Sequence, residues 1–167
     1  GSVGVGDLLD GEPAPLIDRS ADDVAVLLFT SGTAGASRPA MLTHGNLSSN
    51  VTQILTQPER PGGVDEVALG VLPLFHVFGL NAMLNVTLQV GGAVVLVERF
   101  DPHSTLEAIA EHGVTVLSGV PTMWAAWAGL RDATPDAMTT VRMAVSGAAP
   151  LEPEVRHDVQ ERFGIGH

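Results

Sequence analysis

Apolar positions along this chain come in blocks whose period changes from one block to the next. Val24-Ala25-Val26-Leu27-Leu28-Phe29 is a continuous, partly β-branched apolar run, the pattern of a strand buried on both faces. Small and hydroxylated residues follow as far as Ser37, and Thr43 is placed to cap a helix running to about Thr56. A Pro- and Gly-rich loop covers residues 57–63. Beyond it the pattern predicts a strand from Val67 to Leu72, stopped by Pro73, then a helix from Phe78 to Val90 and a strand from Ala93 to Val97. Asp101-Pro102 is a strong helix start, with Asp as N-cap and Pro at the first helical position, and that helix ends at Gly113. Val114 to Leu117 reads as a strand, Pro121 to Gly129 as a helix, Arg142 to Val145 as a short strand, and Glu152 to Phe163 as a last helix stopped by Gly164. Strands alternating with helices imply parallel crossovers, so the expected fold class is α/β, a mostly parallel sheet with helices on both faces. Residues 1–20 lack periodicity and read as an irregular lead-in, with Gly1-Ser2 as a tag scar; the folded part is expected over 21–167.

Composition narrows the function classes. The 167 residues are 45% apolar and only 16% charged, against about 25% in ordinary domains, which argues against disorder. The net charge of −11 comes without basic clusters, so nucleic acid is not an expected partner. With no Cys there is no disulfide and no thiolate metal site. All eight basic residues are Arg, and the missing Lys removes Schiff-base and Walker-lysine mechanisms from the chain. Residues 67–97 carry no Asp, Glu or Arg, but Pro73, His76, Asn81, Asn85 and the Gly91-Gly92 pair interrupt them, so no transmembrane segment is expected. With no secretory signal near the first residues either, the expected location is cytoplasmic. No H-E-x-x-H or comparable spacing occurs, so no intrinsic metal site is expected.

The most informative segment leaves the first strand as Thr30-Ser31-Gly32-Thr33-Ala34-Gly35-Ala36-Ser37-Arg38. Glycines let the backbone approach an anion, hydroxyls add donors, and Arg38 adds a permanent charge that binds phosphate oxygens in a fork. From the residues alone, a solvent turn and an anion cradle both remain open. It is neither a Walker A nor a G-x-G-x-x-G loop, and no G-x-S-x-G elbow occurs in the chain. His76, within Leu72-Pro73-Leu74-Phe75-His76-Val77-Phe78-Gly79-Leu80, reads either as a satisfied cap or core residue or as a group that changes charge near neutrality. Val145-Ser146-Gly147-Ala148-Ala149-Pro150-Leu151 reads either as an ordinary strand-to-helix turn or as a small-residue wall on which a flat base or an acyl chain can lie.

Phe29 to Gly35 followed by Arg38 and Met41-Leu42-Thr43-His44-Gly45-Asn46-Leu47 resembles the phosphate-loop signature of the adenylate-forming, AMP-binding superfamily. Its members activate a carboxylate with ATP to an acyl-adenylate, release pyrophosphate, and pass the acyl group to a thiol such as coenzyme A. The two later motifs, and more weakly Leu117-Ser118-Gly119-Val120-Pro121-Thr122-Met123-Trp124, resemble others of that family in the family's order. The resemblance implies phosphate contacts from Thr30, Ser31, Gly32, Thr33, Ala34 and Gly35, catalytic roles for His76 and Arg38, and a nucleotide wall of Gly147, Ala148, Ala149 and Pro150. It also implies an acyl pocket bordered by Phe75, Val120 and Thr122. The family usually reads Pro-Lys-Gly where this chain has Ser37-Arg38-Pro39, a change that keeps the charge.

The resemblance further implies that the chain is a partial AMP-binding domain that stops before the Tyr-Gly-x-Thr-Glu motif and lacks the ribose-binding Asp, the hinge and the lid lysine. The expected parent is an ATP-dependent fatty-acyl-CoA ligase using a fatty or other apolar carboxylic acid, ATP with Mg²⁺, and coenzyme A. The piece itself is expected to be inactive, to need the missing remainder of its domain, and to self-associate through exposed apolar surface. Two alternatives stay open: a non-catalytic nucleotide- or anion-binding α/β module, and a degenerate interaction domain of the same superfamily.

Overall fold

The structure, a computed structural model, describes residues 13–30, 38–58 and 65–165, and of Thr30 only the backbone. Two sheets are present among them. Strands β1 (Val24–Thr30) and β2 (Arg38–Thr43) form an antiparallel pair in which Leu27 faces Met41 and Phe29 faces Pro39. Four strands, β3 (Val67–Gly70), β4 (Ala93–Leu96), β5 (Val116–Gly119) and β6 (Met143–Ser146), form a parallel sheet in the order β4-β3-β5-β6.

Capping chemistry sets most helix boundaries. Helix α1 (His44–Leu55) starts on a reciprocal box: the Thr43 hydroxyl accepts the Asn46 N–H, and the Asn46 side chain accepts the Thr43 N–H, both at 3.1 Å. A π-helix, Phe78–Asn85, runs directly into α2 (Val86–Gln89). Helix α3 (Pro102–His112) begins at Asp101, whose carboxylate accepts the Ser104 N–H at 2.9 Å, and ends on Gly113 in the left-handed conformation. That backbone hydrogen bond, followed by one from the Ser104 hydroxyl and by the nearby His103, holds the Asp101 carboxyl below its ordinary pKa. Helix α4 (Pro121–Gly129) opens on Pro121, a 3₁₀ turn spans Pro135–Met138, and α5 (Pro153–Phe163) closes on left-handed Gly164.

Strand alternation distributes the core over two faces. Leu69 and Leu117 are fully buried on one face with Ile109 of α3, Trp124 and Trp127 of α4, and Val159 and Phe163 of α5. Ala68 and Val116 are buried on the other with Met83 of the π-helix. Trp127 stacks edge-on to Trp124 and Phe100, and its indole N–H donates to the Thr105 hydroxyl at 3.0 Å. Both tryptophans thus serve the core. No helix among the described residues is long and apolar enough to cross a membrane.

The parallel α/β sheet with helices on both faces matches the expectation from alternation, while four local expectations are corrected. Residues 24–29 are not buried on both faces: Val24 is 51%, Leu27 53% and Phe29 69% exposed, because among the described residues β1 pairs only with β2 and two strands cannot cover their own faces. Residues 38–43 form a strand where no strand is expected, Pro39 being tolerated in a two-stranded ribbon. The helix expected over 78–90 is mostly π-helix, and the strand expected at Val114–Leu117 forms two residues later.

Candidate functional site

Three of the four sequence motifs leave the C-terminal ends of parallel strands and so share one rim of the sheet. After β3 the chain passes Leu72-Pro73 and turns, the His76 N–H donating to the Pro73 carbonyl at 3.1 Å, before the π-helix begins. Glycine is required at position 79, where a Cβ would run into the Pro73 carbonyl oxygen and lie 2.9 Å from that of Leu72. After β5, Val120 sits at the N-cap of α4, and Gly119 lies flat against the Trp124 indole. After β6, the Gly147 N–H extends the ladder to the Gly119 carbonyl at 3.0 Å. Ala148 then takes a left-handed φ of 68°, a conformation a non-glycine residue holds only at a cost of about 1–3 kcal/mol.

The rim contains a topological switch. From β3 the chain moves outward to β4, and from β5 it moves the other way to β6, so the crevice between the ends of β3 and β5 is where open α/β sheets bind their ligands. The His76 segment flanks one side of it and Val120-Pro121-Thr122 the other. The third motif closes on the first: a Cβ at Gly147 would lie 2.7 and 2.8 Å from Cζ and Cε1 of Phe78, so the aromatic ring occupies the space a side chain would fill. His76 is exposed, and its Nδ1 accepts the Phe78 N–H at 3.3 Å. This bond places the proton of the neutral ring on Nε2.

The remaining candidates are distributed as follows. Phe75 is 83% exposed, Val120 is half-buried and Thr122 exposed. Gly147 is half-buried, while Ala148, Ala149 and Pro150 are exposed. Arg38 opens β2 on the separate hairpin. Ser31, Gly32, Thr33, Ala34 and Gly35 lie outside the described residues, as does the side chain of Thr30. Sequence reasoning gives the acyl-facing aromatic role to Phe75 and none to Phe78, although both stand in the same motif. Beside β6, a cavity of about 270 Å³ is lined by Trp124, Ala144, Ser146, Leu151, Arg156 and Gln160 among others. The buried Trp124 Nε1 and Ser146 Oγ beside it have no hydrogen-bond partner among the described residues. Among those residues no group of three or more His, Asp or Glu is placed to hold a metal ion.

A family model described as AMP-binding enzyme matches residues 5–167. A feruloyl-CoA synthase from Amycolatopsis is 38% identical over 149 residues, covering 89% of this chain and 30% of its own length. A long-chain-fatty-acid–CoA ligase from Bacillus subtilis is 33% identical over 150 residues, covering 90% and 27%. The ATP-bound crystal structure of MatB from Rhodopseudomonas palustris superposes with a TM-score of 0.79 at 36% identity, covering 89% of this chain and 29% of that one. The chain therefore spans about 30% of the length of the relatives it matches.

Proposed function

Because the chain belongs to the AMP-binding enzyme family, we propose that it is the phosphate-loop and acyl-site portion of a cytoplasmic, ATP-dependent acid–CoA ligase. The reaction has two steps. A carboxylate oxygen attacks the α-phosphorus of ATP in line, forming the acyl-adenylate and expelling pyrophosphate. A coenzyme A thiol then attacks the acyl carbon, forming the thioester and expelling AMP. The observation that carries this reading is the meeting of Phe78 with Gly147 at the switch-point rim, since it brings the His76 motif and the small-residue turn together at one mouth.

In this assignment residues 30–35 donate N–H and hydroxyl groups to the β- and γ-phosphates, and Arg38 holds positive charge toward the departing pyrophosphate. Mg²⁺ bound with the nucleotide would offset phosphate charge. Ala148, Ala149 and Pro150, exposed and without long side chains, offer backbone to the flat face of the adenine, and left-handed Ala148 sets their direction. His76 carries an Nε2–H toward solvent, a donor for the acid's carboxylate or the α-phosphate oxygens. Phe78, Phe75, Val120 and Thr122 border an apolar acyl site. Phe75-His76-Val77-Phe78-Gly79 and the apolar helix after it favour a fatty or other apolar acid.

Leu27, Phe29 and Met41 leave a broad apolar face on the hairpin, which we assign to contact with the rest of the enzyme's large domain. The isolated 167-residue chain is expected to be inactive and to self-associate through that face. Acid-dependent exchange of labelled pyrophosphate into ATP, measured on the longer protein and on this chain, tests the reading. Exchange by the longer protein with a fatty acid, and none by the chain alone, is the expected result. Exchange by the isolated chain would overturn its assignment as an incomplete site, and no exchange by the longer protein with any acid would leave the non-catalytic alternatives standing.

A further inference from the structure

A polar side chain that the proposed chemistry does not use is buried behind the rim. Asn81 is 1% exposed, lies in the middle of the π-helix, and is fully hydrogen-bonded. Its Nδ2 donates to the Asn50 Oδ1 at 2.8 Å and to the Leu47 carbonyl at 3.3 Å, both on α1. Its Oδ1 accepts the Asn85 amide at 2.9 Å, and its backbone carbonyl accepts the Val86 N–H five residues on, the wide bond that defines this helix.

Eight residues of π-helix are unusual, because each wide turn forgoes the better geometry of the α-helix. Returning to α-helical winding would turn the two ends of the segment relative to each other. The residues at its N-terminal end are those of the rim: the His76 carbonyl accepts the Leu80 N–H at 2.9 Å, His76 Nδ1 accepts the Phe78 N–H, and the Phe78 ring covers Gly147. The α1 end of the network follows directly from β2, the strand that leaves the glycine-rich segment.

We propose that Asn81 is a positioning residue: through Asn50 and Leu47 of α1 and Asn85 of its own helix it locks the π-helical winding that lays Phe78 on Gly147 and keeps the His76 proton on Nε2. The amide is suited to this because it donates two bonds to α1 while accepting one from Asn85; a carboxylate at the same place has no donor for the Leu47 carbonyl. A buried polar group with every bond made specifies one arrangement over its competitors. The functional sense of the proposal rests on the assignment of His76 and Phe78 to the substrate mouth, whereas its geometry does not.

The test is nuclear magnetic resonance on the longer protein, selectively labelled and without substrate, reading two signals: the His76 ring-nitrogen shifts, which report the tautomer, and the nuclear Overhauser contact between the Phe78 ring and the Gly147 Cα protons. Asn81→Ser and Asn50→Ala are both expected to mix the His76 tautomers and weaken the Phe78–Gly147 contact while far-ultraviolet circular dichroism keeps its native form. Asn50 is exposed, so Asn50→Ala decides the matter if Asn81→Ser fails to fold. A native-like Asn50→Ala chain that retains both signals in full overturns the proposal. In the longer protein Asn81→Ser should slow acid-dependent pyrophosphate exchange on the order of 10- to 100-fold, the scale of a reacting group misplaced by about 1 Å. If the two signals change but exchange does not, the positioning role survives and the assignment of the mouth fails.

Discussion

Replacing Gly147 by Ala is the sharpest perturbation of the rim. Gly147 is not among the left-handed glycines, so its backbone accepts a side chain and the effect is purely steric. The new methyl would stand 2.7 Å from Phe78 Cζ, 2.8 Å from Cε1 and 3.3 Å from Cε2, whereas carbon pairs settle at about 3.5–4.0 Å, so the ring must withdraw by about 1 Å. Its main chain cannot follow, because Gly79 is wedged against the Leu72 and Pro73 carbonyls and the Phe78 N–H is held by His76. The strain therefore falls on the Phe78 torsions, and overpacking of this kind costs about 1–3 kcal/mol. In the longer protein a displacement of that size at the proposed substrate mouth should lower acid-dependent pyrophosphate exchange about 100-fold, or about 2.7 kcal/mol. The decisive assay is a double-mutant cycle with Phe78→Ala, which removes the obstructing ring. If the contact is real, Gly147→Ala should be far less harmful in the Phe78→Ala background, with a coupling of about 0.5–3 kcal/mol in both stability and exchange rate. Additivity of the two substitutions, or a Gly147→Ala protein with unchanged melting and unchanged rate, would refute the reasoning.

Other outcomes follow from the same geometry. In the longer protein, Arg38→Ala should raise the ATP requirement or slow adenylation by roughly ten- to a hundred-fold, the worth of a charge-assisted phosphate contact; steady-state kinetics unchanged in both respects would remove Arg38 from the phosphate site. Two glycine-to-alanine changes should move stability in opposite directions in denaturant melts. Gly79→Ala meets two backbone carbonyls and should destabilise by at least about 1–3 kcal/mol, whereas Gly129→Ala meets nothing within 4 Å at the end of a helix and should stabilise by about 0.4–1 kcal/mol. Asp101, its native pKa depressed by the Ser104 N–H, contributes stability that is present above the ordinary carboxylate pKa and lost as pH falls through its lower native value. The melting difference between the native chain and Asp101→Asn, followed from about pH 6 to pH 2, should therefore shrink only at the acid end, below about pH 4; a difference that does not vary with pH would show that the carboxylate charge plays no part in the cap.

What the sequence reveals is whatever a residue type decides within its own few neighbours. Thr43 with Asn46, Asp101 with Pro102, and glycines 113 and 164 each mark a helix end because the local backbone needs that residue, and each stands where expected. The parallel sheet follows from strands separated by helices. Residues 24–29 show where the inference stops: an apolar run states a capacity for burial, and burial itself depends on layers from elsewhere, here a single strand containing Pro39. The winding of residues 78–85 was equally hidden, because apolar residues spaced as in FGLNAMLN satisfy an α-helix as well as a π-helix. The one polar signal there was Asn81 with Asn85, four apart in an otherwise apolar stretch. Its meaning needed Asn50, which lies 31 residues earlier and on another element. The motifs likewise named the kinds of atoms at the rim without naming their contacts. Phe75 and Phe78 are indistinguishable by type, and only the crossovers that bring β6 beside β5 decide that Phe78 meets Gly147 while Phe75 stays exposed. Aromatic and histidine residues in such a motif therefore report the chemistry available at the rim, and which of them packs against the neighbouring turn is fixed by how the following helix winds.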